Sequence, residues 1–136
     1  MHASVYHLQL NVRDAATALP FYRALLGYLD YRVTYEQPDV LAMSNGGTDF
    51  WLIAAPADRR RHAPHRKNAG LNHVALRVPS RADVERFHEE FLKARGIPTL
   101  YGGPREYPEY RAGYYAVFFE DPDRLKLEVV HVPPRR

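Results

Sequence analysis

Two histidines and one glutamate occupy repeated positions in this chain. His7 opens the segment HLQLNV, and His73 opens the similar segment HVALRV 66 residues later. A second repeat, offset by 77 residues, aligns the segment around Trp51 with the segment around Glu128. Two imidazoles and one carboxylate form a facial triad that suits Fe(II) and can also hold Mn(II), Zn(II) or Ni(II). The repeat therefore predicts one divalent metal site with the ligands His7, His73 and Glu128.

The alternation of polar and apolar residues predicts which way these side chains face. In residues 5–12 and 71–78, apolar side chains occupy one face of a strand, and His7 and His73 lie on the other. Glu128 lies opposite Leu127 and Val129 in a predicted strand at residues 125–132. The three ligands converge if the sheets of both halves curve around a common cavity. A lone histidine near a strand end is more often structural than a ligand, so the repetition at matched positions is what favours the site.

The first half of the chain is predicted to form a βαβββ module at about residues 4–56. Asp14 caps a helix that ends at Gly27, although Pro20 should bend or loosen its first turns. Three strands follow at residues 29–35, 40–44 and 48–54. The Asn45-Gly46 pair predicts a hairpin between the last two strands.

A linker at residues 57–69 leads to a second module at about residues 70–134. Ser80 begins a helix that ends before Gly96, and strands at residues 114–120 and 125–132 close the module. About eleven extra residues fall within residues 97–113, which we predict to be a loop. The expected fold is one α+β domain, residues 1–136, of two βαβββ modules whose curved mixed sheets enclose a cavity, with the helices outside.

Composition excludes several other classes of protein. A chain of 136 residues with 46% hydrophobic residues can bury a core and is neither disordered nor fibrous. The net charge of +3 comes largely from the basic run of the linker, which we interpret as solvated rather than as a nucleic-acid surface, and from the terminal Arg135 and Arg136. No cysteine is present to form disulfides or act as a nucleophile. With neither a leader nor a spanning segment evident, we expect a cytoplasmic protein that does not bind membranes.

Three longer segments resemble one superfamily. FYRALLGY, NHVALRVP and FFEDPDRLKLEVV are similar to segments of the glyoxalase/bleomycin-resistance/extradiol-dioxygenase proteins, also called vicinal oxygen chelate proteins. The resemblance covers nearly the whole chain, and it implies that His7, His73 and Glu128 are the metal ligands. It also implies an enzyme whose metal acts as a Lewis acid on neighbouring substrate oxygens. A homodimer, with modules that could be swapped between subunits, is a further implication.

Departures from the superfamily pattern narrow the expected reaction. Trp51 stands where proteins resembling glyoxalase I have a further ligand, which weighs against isomerisation of lactoylglutathione. Three ligands suit an extradiol dioxygenase or a fosfomycin-type thiol transferase. Phe118 stands near the tyrosine place of the dioxygenases, so Tyr114 and Tyr115 become the catalytic candidates. The potassium-binding loop of the transferases is poorly matched by GGPREYPEYRAGYY.

Tyrosines and arginines in residues 97–115 could contact a small oxygen-rich or aromatic substrate, or could simply stiffen a long loop. The candidate substrate-binding residues are Trp51, Arg77, Tyr110, Arg111 and Tyr115. The alternative function is a metal-free protein that binds a drug or metabolite, as bleomycin-resistance members of the superfamily do. The presence of all three ligands and the basic charge balance count against that alternative.

Overall fold

The computed structural model describes residues 1–61 and 64–134, which divide into two compact units at residues 63 and 64. This boundary falls inside the predicted linker at residues 57–69. Within the part of the chain that is described, no helix is both long and apolar enough to cross a membrane.

The first unit has the predicted βαβββ order. It comprises β1 (His7–Val12), α1 (Ala15–Tyr28), β2 (Arg32–Gln37), β3 (Val40–Ser44) and β4 (Asp49–Ala54). The strands form one mixed sheet in the order β1-β4-β3-β2, in which β1 and β4 are parallel. Asp14 caps α1 as predicted, since its carboxylate accepts from the backbone N–H of Ala16 at 3.1 Å.

Helix α1 continues past Pro20 and one residue beyond Gly27, where the sequence predicted its end. The predicted hairpin between β3 and β4 is confirmed. Asn45 Oδ1 accepts from the N–H groups of Gly47 and Thr48 at 2.9 and 2.8 Å, so one side chain closes the turn.

One face of the first sheet carries the core of this unit. Apolar residues of α1 are buried together with alternate residues of β3 and β4, namely Ala18, Tyr22, Leu25, Leu26, Leu41, Met43, Phe50 and Leu52. Because successive side chains of a strand point to opposite faces, His7 and Trp51 share the other face. The sequence pattern therefore predicted correctly that His7 lies on the face of β1 opposite the helix-packing residues.

The second unit repeats this topology. It comprises β5 (His73–Arg77), α2 (Arg81–Phe87), β6 (Thr99–Glu106), β7 (Tyr115–Glu120) and β8 (Lys126–His131), in the sheet order β5-β8-β7-β6. The parallel pairs even share one register, because His7 pairs with Asp49 and His73 pairs with Lys126. The predicted fold class, two βαβββ modules with mixed sheets, is confirmed. The common cavity remains a prediction.

Helix α2 ends in an irregular stretch. Ser80 Oγ accepts from the N–H of Asp83 at 3.1 Å, which confirms the predicted cap. After Phe87 the helix widens into one π turn, His88–Leu92, and then narrows to a 3-10 turn that ends at Gly96. Four apolar side chains are buried along this helix and its extension, namely Val84, Phe87, Phe91 and Leu92.

Strand β6 lies inside the segment that the sequence predicted as a loop. The chain adopts left-handed conformations at Tyr101, Gly102 and Gly103, and the pairing of β6 with β7 shifts between Leu100 and Arg105. An irregularity of this kind interrupts the alternation that marks a strand, so the Gly-Gly-Pro sequence concealed it.

Candidate metal centre

His73 and Glu128 form the centre of the candidate site. They lie on the neighbouring parallel strands β5 and β8, where Ala75 pairs with Glu128 and the two side chains share one face. Nε2 of His73 lies 3.1 Å from Oε2 of Glu128. Glu128 is fully buried, so this carboxylate depends on protein partners in place of water. The structure thus brings together two of the three predicted metal ligands.

The second oxygen of this carboxylate is held by a tyrosine. Tyr114 precedes β7, and its hydroxyl donates to Oε1 of Glu128. Burial raises the pKa of Tyr114 well above its usual range, and the hydrogen bond and charge of Glu128 raise it further. The phenol is therefore a proton donor at neutral pH. Phe118 has no hydroxyl, but Tyr114 delivers one to the site from four residues earlier.

The imidazole of His73 is held on its other side by Asn72. Nδ1 of His73 lies 2.7 Å from Oδ1 of Asn72, while Nδ2 of Asn72 donates to the carbonyl of Arg66 at 2.8 Å. The amide oxygen of Asn72 only accepts, so Nδ1 is the nitrogen placed to donate to it. In the neutral ring, Nε2 then presents a lone pair towards the Glu128 carboxylate. Two electron-pair donors 3.1 Å apart repel each other unless a proton or a metal cation lies between them, so this pair suits a hydrogen bond or a cation.

Aromatic rings surround this pair. The ring of Phe118 lies 6.0 Å from that of His73, and the ring of Tyr101 lies 5.4 Å from that of Phe118. The ammonium group of Lys126 lies 5.5 Å and 5.3 Å from the ring centroids of Tyr101 and Phe118. Tyr101 is one of the tyrosines in residues 97–115 that the sequence predicted could contact substrate, whereas Lys126 was not predicted as a site residue. The strand alternation that selected Glu128 could have found Lys126, because the two share one face.

Tyr107 covers part of the same face. Its ring packs 5.4 Å from that of Phe118, and the residue is 2% exposed. Its hydroxyl is buried, and the guanidinium carbon of Arg105 lies 3.8 Å from the centroid of its ring. Tyr110, one of the predicted substrate-binding residues, stacks on Tyr107 with ring centroids 5.4 Å apart and remains 62% exposed. The tyrosines of this segment therefore pack against each other and the sheet.

Tyr115 is not brought to the site. It begins β7 and points to the helix-covered face of the sheet, where its hydroxyl donates to Glu85. The guanidinium carbon of Arg81 lies 4.2 Å above its ring. The sequence offered Tyr114 and Tyr115 equally, and the alternation of side chains across β7 gives the site only Tyr114. The prediction that Tyr115 contacts substrate or takes part in catalysis is corrected accordingly.

Two predicted substrate-binding arginines donate hydrogen bonds to backbone carbonyls near the C-terminus of the chain. Arg77 shares the His73 face of β5, and its guanidinium donates to the carbonyl of Val132 at 2.7 Å. The guanidinium of Arg111 donates to the carbonyl of Pro134 at 3.2 Å. One N–H group of each guanidinium is bonded to a backbone carbonyl. The predicted contact of Arg77 and Arg111 with substrate would therefore need the other N–H groups of these side chains.

His7 and Trp51 belong to the first unit. His7 is exposed on β1, and Trp51 lies on the same face with its ring 5.7 Å from that of Tyr35. Across residues 1–61 and 64–134, no group of three or more His, Cys, Asp or Glu side chains has metal-binding geometry. The participation of His7 therefore stays a prediction, whereas the contact between His73 and Glu128 is observed.

Comparison with known proteins identifies the family. Residues 4–129 match the glyoxalase/bleomycin resistance protein/dioxygenase superfamily. The chain belongs to this superfamily. Its members include lyases, transferases and dioxygenases, and they commonly use divalent metals. The predicted membership is thereby confirmed.

Individual relatives support the same family. YqjT of Bacillus subtilis (strain 168), which is itself uncharacterized, is 31% identical over 128 residues, covering 93% of this chain and 97% of YqjT. A Bacillus halodurans protein provisionally named a glyoxalase is 31% identical with a TM-score of 0.81, over 94% and 95% of the two chains. The fosfomycin resistance protein FosX of Mesorhizobium loti shares the fold at 20% identity and a TM-score of 0.66, over 98% and 95%.

Proposed function

We propose that this superfamily member is a metal-dependent enzyme whose divalent ion is held by His7, His73 and Glu128. The proposal is carried by one observation, the 3.1 Å approach of Nε2 of His73 to the fully buried carboxylate of Glu128. Tyr114 and Asn72 orient these two groups from either side. A bound Fe, Mn, Zn or Ni ion would supply Lewis acidity towards neighbouring substrate oxygens.

The expected reaction is similar to that of an extradiol dioxygenase or a thiol transferase rather than that of glyoxalase I. Trp51 supplies no carboxylate for moving a carbon-bound proton, and Tyr114 is held protonated at neutral pH. Tyr114 would therefore donate a hydrogen bond and hold Glu128 in place. The rings of Phe118, Tyr101 and Trp51 favour a small substrate that is oxygen-rich or aromatic.

Metal analysis tests the ligand set. Protein purified without chelators should contain about one divalent ion per chain, as a three-residue site with open positions predicts. His7→Ala, His73→Ala and Glu128→Gln should each reduce the metal content to background. His2→Ala, an exposed histidine, is the matched control. Equal and substoichiometric metal in all five proteins would refute the site, and full metal in His7→Ala alone would remove His7 from it.

Turnover assays separate the candidate reactions. Oxygen-dependent consumption of a catechol by the Fe(II)-loaded protein would assign a dioxygenase, and Mn(II)-stimulated consumption of a thiol with an epoxide would assign a transferase. Tight binding of a drug or metabolite that is unaffected by EDTA, with no turnover, would overturn the enzyme proposal in favour of a metal-free binding protein.

The proposal also includes a homodimer and a small-molecule substrate. Light scattering should give twice the mass of the 15.7 kDa chain. Mixing His7→Ala with Glu128→Gln would then show where the site lies. Recovered metal binding would place the ligands of one site on two subunits, and no recovery would place them on one.

A further inference from the structure

We infer that Asn72 is a positioning residue that keeps the proton of the His73 imidazole on Nδ1 and thereby leaves Nε2 free for the metal. The inference rests on the proposed function, because it concerns how a proposed ligand is prepared. Its evidence is the orientation of one amide, which two hydrogen bonds determine.

The direction of the Asn72 amide follows from the partners of its two polar atoms. The oxygen and nitrogen of an amide are assigned from their partners, so the partner of each atom matters. Nδ2 of Asn72 lies 2.8 Å from the carbonyl oxygen of Arg66, which can only accept. Oδ1 must therefore be the atom that faces Nδ1 of His73 at 2.7 Å. The flipped amide would place two acceptors against each other at Arg66.

The Arg66 carbonyl is held in place by an ion pair of its own side chain. The guanidinium of Arg66 donates to Oε2 of Glu120 at 2.9 Å, and both side chains are about three-quarters buried. The sequence predicted the linker arginines to be solvated, and Arg66 departs from this. The ion pair with Glu120 of β7 holds Arg66 in place. The backbone carbonyl of Arg66 then accepts from the Asn72 amide, whose oxygen faces the His73 imidazole.

Asn72 and Glu128 compete for the proton of the His73 imidazole. A neutral imidazole has one N–H, and the buried Glu128 carboxylate near Nε2 attracts it. Without an acceptor at Nδ1, the neutral ring would donate Nε2–H to Glu128, and a metal ion would have to displace that proton. Hydrogen-bond partners on the far nitrogen of a ligating histidine typically change metal affinity about 10- to 100-fold.

Metal affinity is the first readout. Zn(II) binding by Asn72→Leu, measured against a competing chelator, should weaken about 10- to 100-fold relative to the unmodified chain. Asn72→Asp keeps an acceptor for Nδ1 but loses the donor to the Arg66 carbonyl, so it should bind more tightly than Asn72→Leu and less tightly than the unmodified chain. Asn68→Leu, at an exposed asparagine in the preceding turn, should be unchanged. Equal affinity in Asn72→Leu and the unmodified chain would overturn the inference. Asn72→Ala replaces the leucine variant if the latter does not fold.

The second readout needs no metal. In mildly alkaline buffer, the 15N signals of the His73 ring in the metal-free protein should show a proton on Nδ1, and Asn72→Leu should move it to Nε2. An unprotonated Nδ1 in the unmodified chain would overturn the inference. If Nδ1 carries the proton but Zn(II) does not bind, the proposed metal function fails while the role of Asn72 on the imidazole stands.

Discussion

Glu128 is a buried carboxylate whose two oxygens are held by different partners. His73 faces Oε2 and Tyr114 donates to Oε1. An ionised carboxylate without water or partners would cost several kcal/mol, so these contacts are needed for the folded state as well as for the proposed site. Removing either partner should therefore affect stability together with metal binding.

Tyr114→Phe tests, at neutral and alkaline pH, how much the tyrosine partner of Glu128 contributes to stability. The mutation removes one donor to a buried carboxylate and should lower the free energy of unfolding by about 1–3 kcal/mol at neutral pH. The pKa of Tyr114 is raised on folding, so the protonated phenol stabilises the folded chain. That contribution is complete below the unfolded pKa of about 10 and is lost as the pH rises through the folded pKa.

Urea unfolding of Tyr114→Phe and the unmodified chain provides the measurement. The difference between the two proteins should narrow as the buffer is made more alkaline, because ionisation in the unfolded chain stabilises that state only when Tyr114 is present. A difference that stays constant from neutral to strongly alkaline pH would contradict the assignment of the raised pKa to this phenol.

The sequence determined this part of the site only partly. Alternation along β5 and β8 placed His73 and Glu128 on one face, because side chains of a strand change face at every residue. The choice between Tyr114 and Tyr115 depended on where β7 begins and which way it turns. Two adjacent tyrosines carry no such information. The role of Asn72 depends on the Arg66 carbonyl, a backbone atom that composition does not reveal.

The segment between β6 and β7 is the element that differs most between the two modules. It contains the turn that packs Tyr107 on the sheet, and it follows the left-handed residues of β6. Gly113 ends this turn with φ of +76°, and a Cβ placed there would lie 2.6 Å from Cγ of Pro133. Glycine is therefore needed here for conformation and for space.

Gly113→Ala should destabilise the protein more than Gly46→Ala does. Both glycines have positive φ, so each alanine should cost about 1–2 kcal/mol in the left-handed region. Nothing lies within 4 Å of a Cβ at Gly46, whereas Gly113 meets the Pro133 ring. The additional overlap should cost about 1–3 kcal/mol. Chemical denaturation measures the free energy of unfolding of both variants. Equal losses in the two variants would show that the Pro133 ring moves aside without cost.

Elements with clear local signals were predicted well. Capping by Asp14 and Ser80 and the turn at Asn45 follow from side chains that bond to nearby backbone, so their effect can be predicted from a few adjacent residues. Strand β6 was missed because its pairing with β7 is long-range and irregular. Its Gly-Gly-Pro stretch breaks the local pattern while the partner strand maintains the pairing.

At the scale of the molecule, the proposed ligands come from both units. His7 belongs to residues 1–63, and His73 and Glu128 belong to the rest. The repeat predicted both modules because each contains its own alternation and caps. Local patterns do not determine whether His7 joins the proposed site, which is why its role requires an experiment on the whole chain.

Metal binding should raise the thermal stability of the whole chain. A ligand at 100 times its Kd stabilises the folded state by about 2.7 kcal/mol. Calorimetry with and without Zn(II) should show this shift in the unmodified chain and in His2→Ala, but not in His7→Ala. An unchanged shift in His7→Ala would mean that the second unit binds the ion without the first.

The common register of the two parallel strand pairs has a consequence for design. In the second module His73 pairs with Lys126, so Glu128, two residues after Lys126, is the diagonal neighbour of His73. In the first module His7 pairs with Asp49, so Trp51, two residues after Asp49, is the diagonal neighbour of His7. The backbone of the first module is thus already arranged to place a carboxylate beside His7. Exchanging one indole for a carboxylate would make the donor sets of the two modules alike without moving a strand.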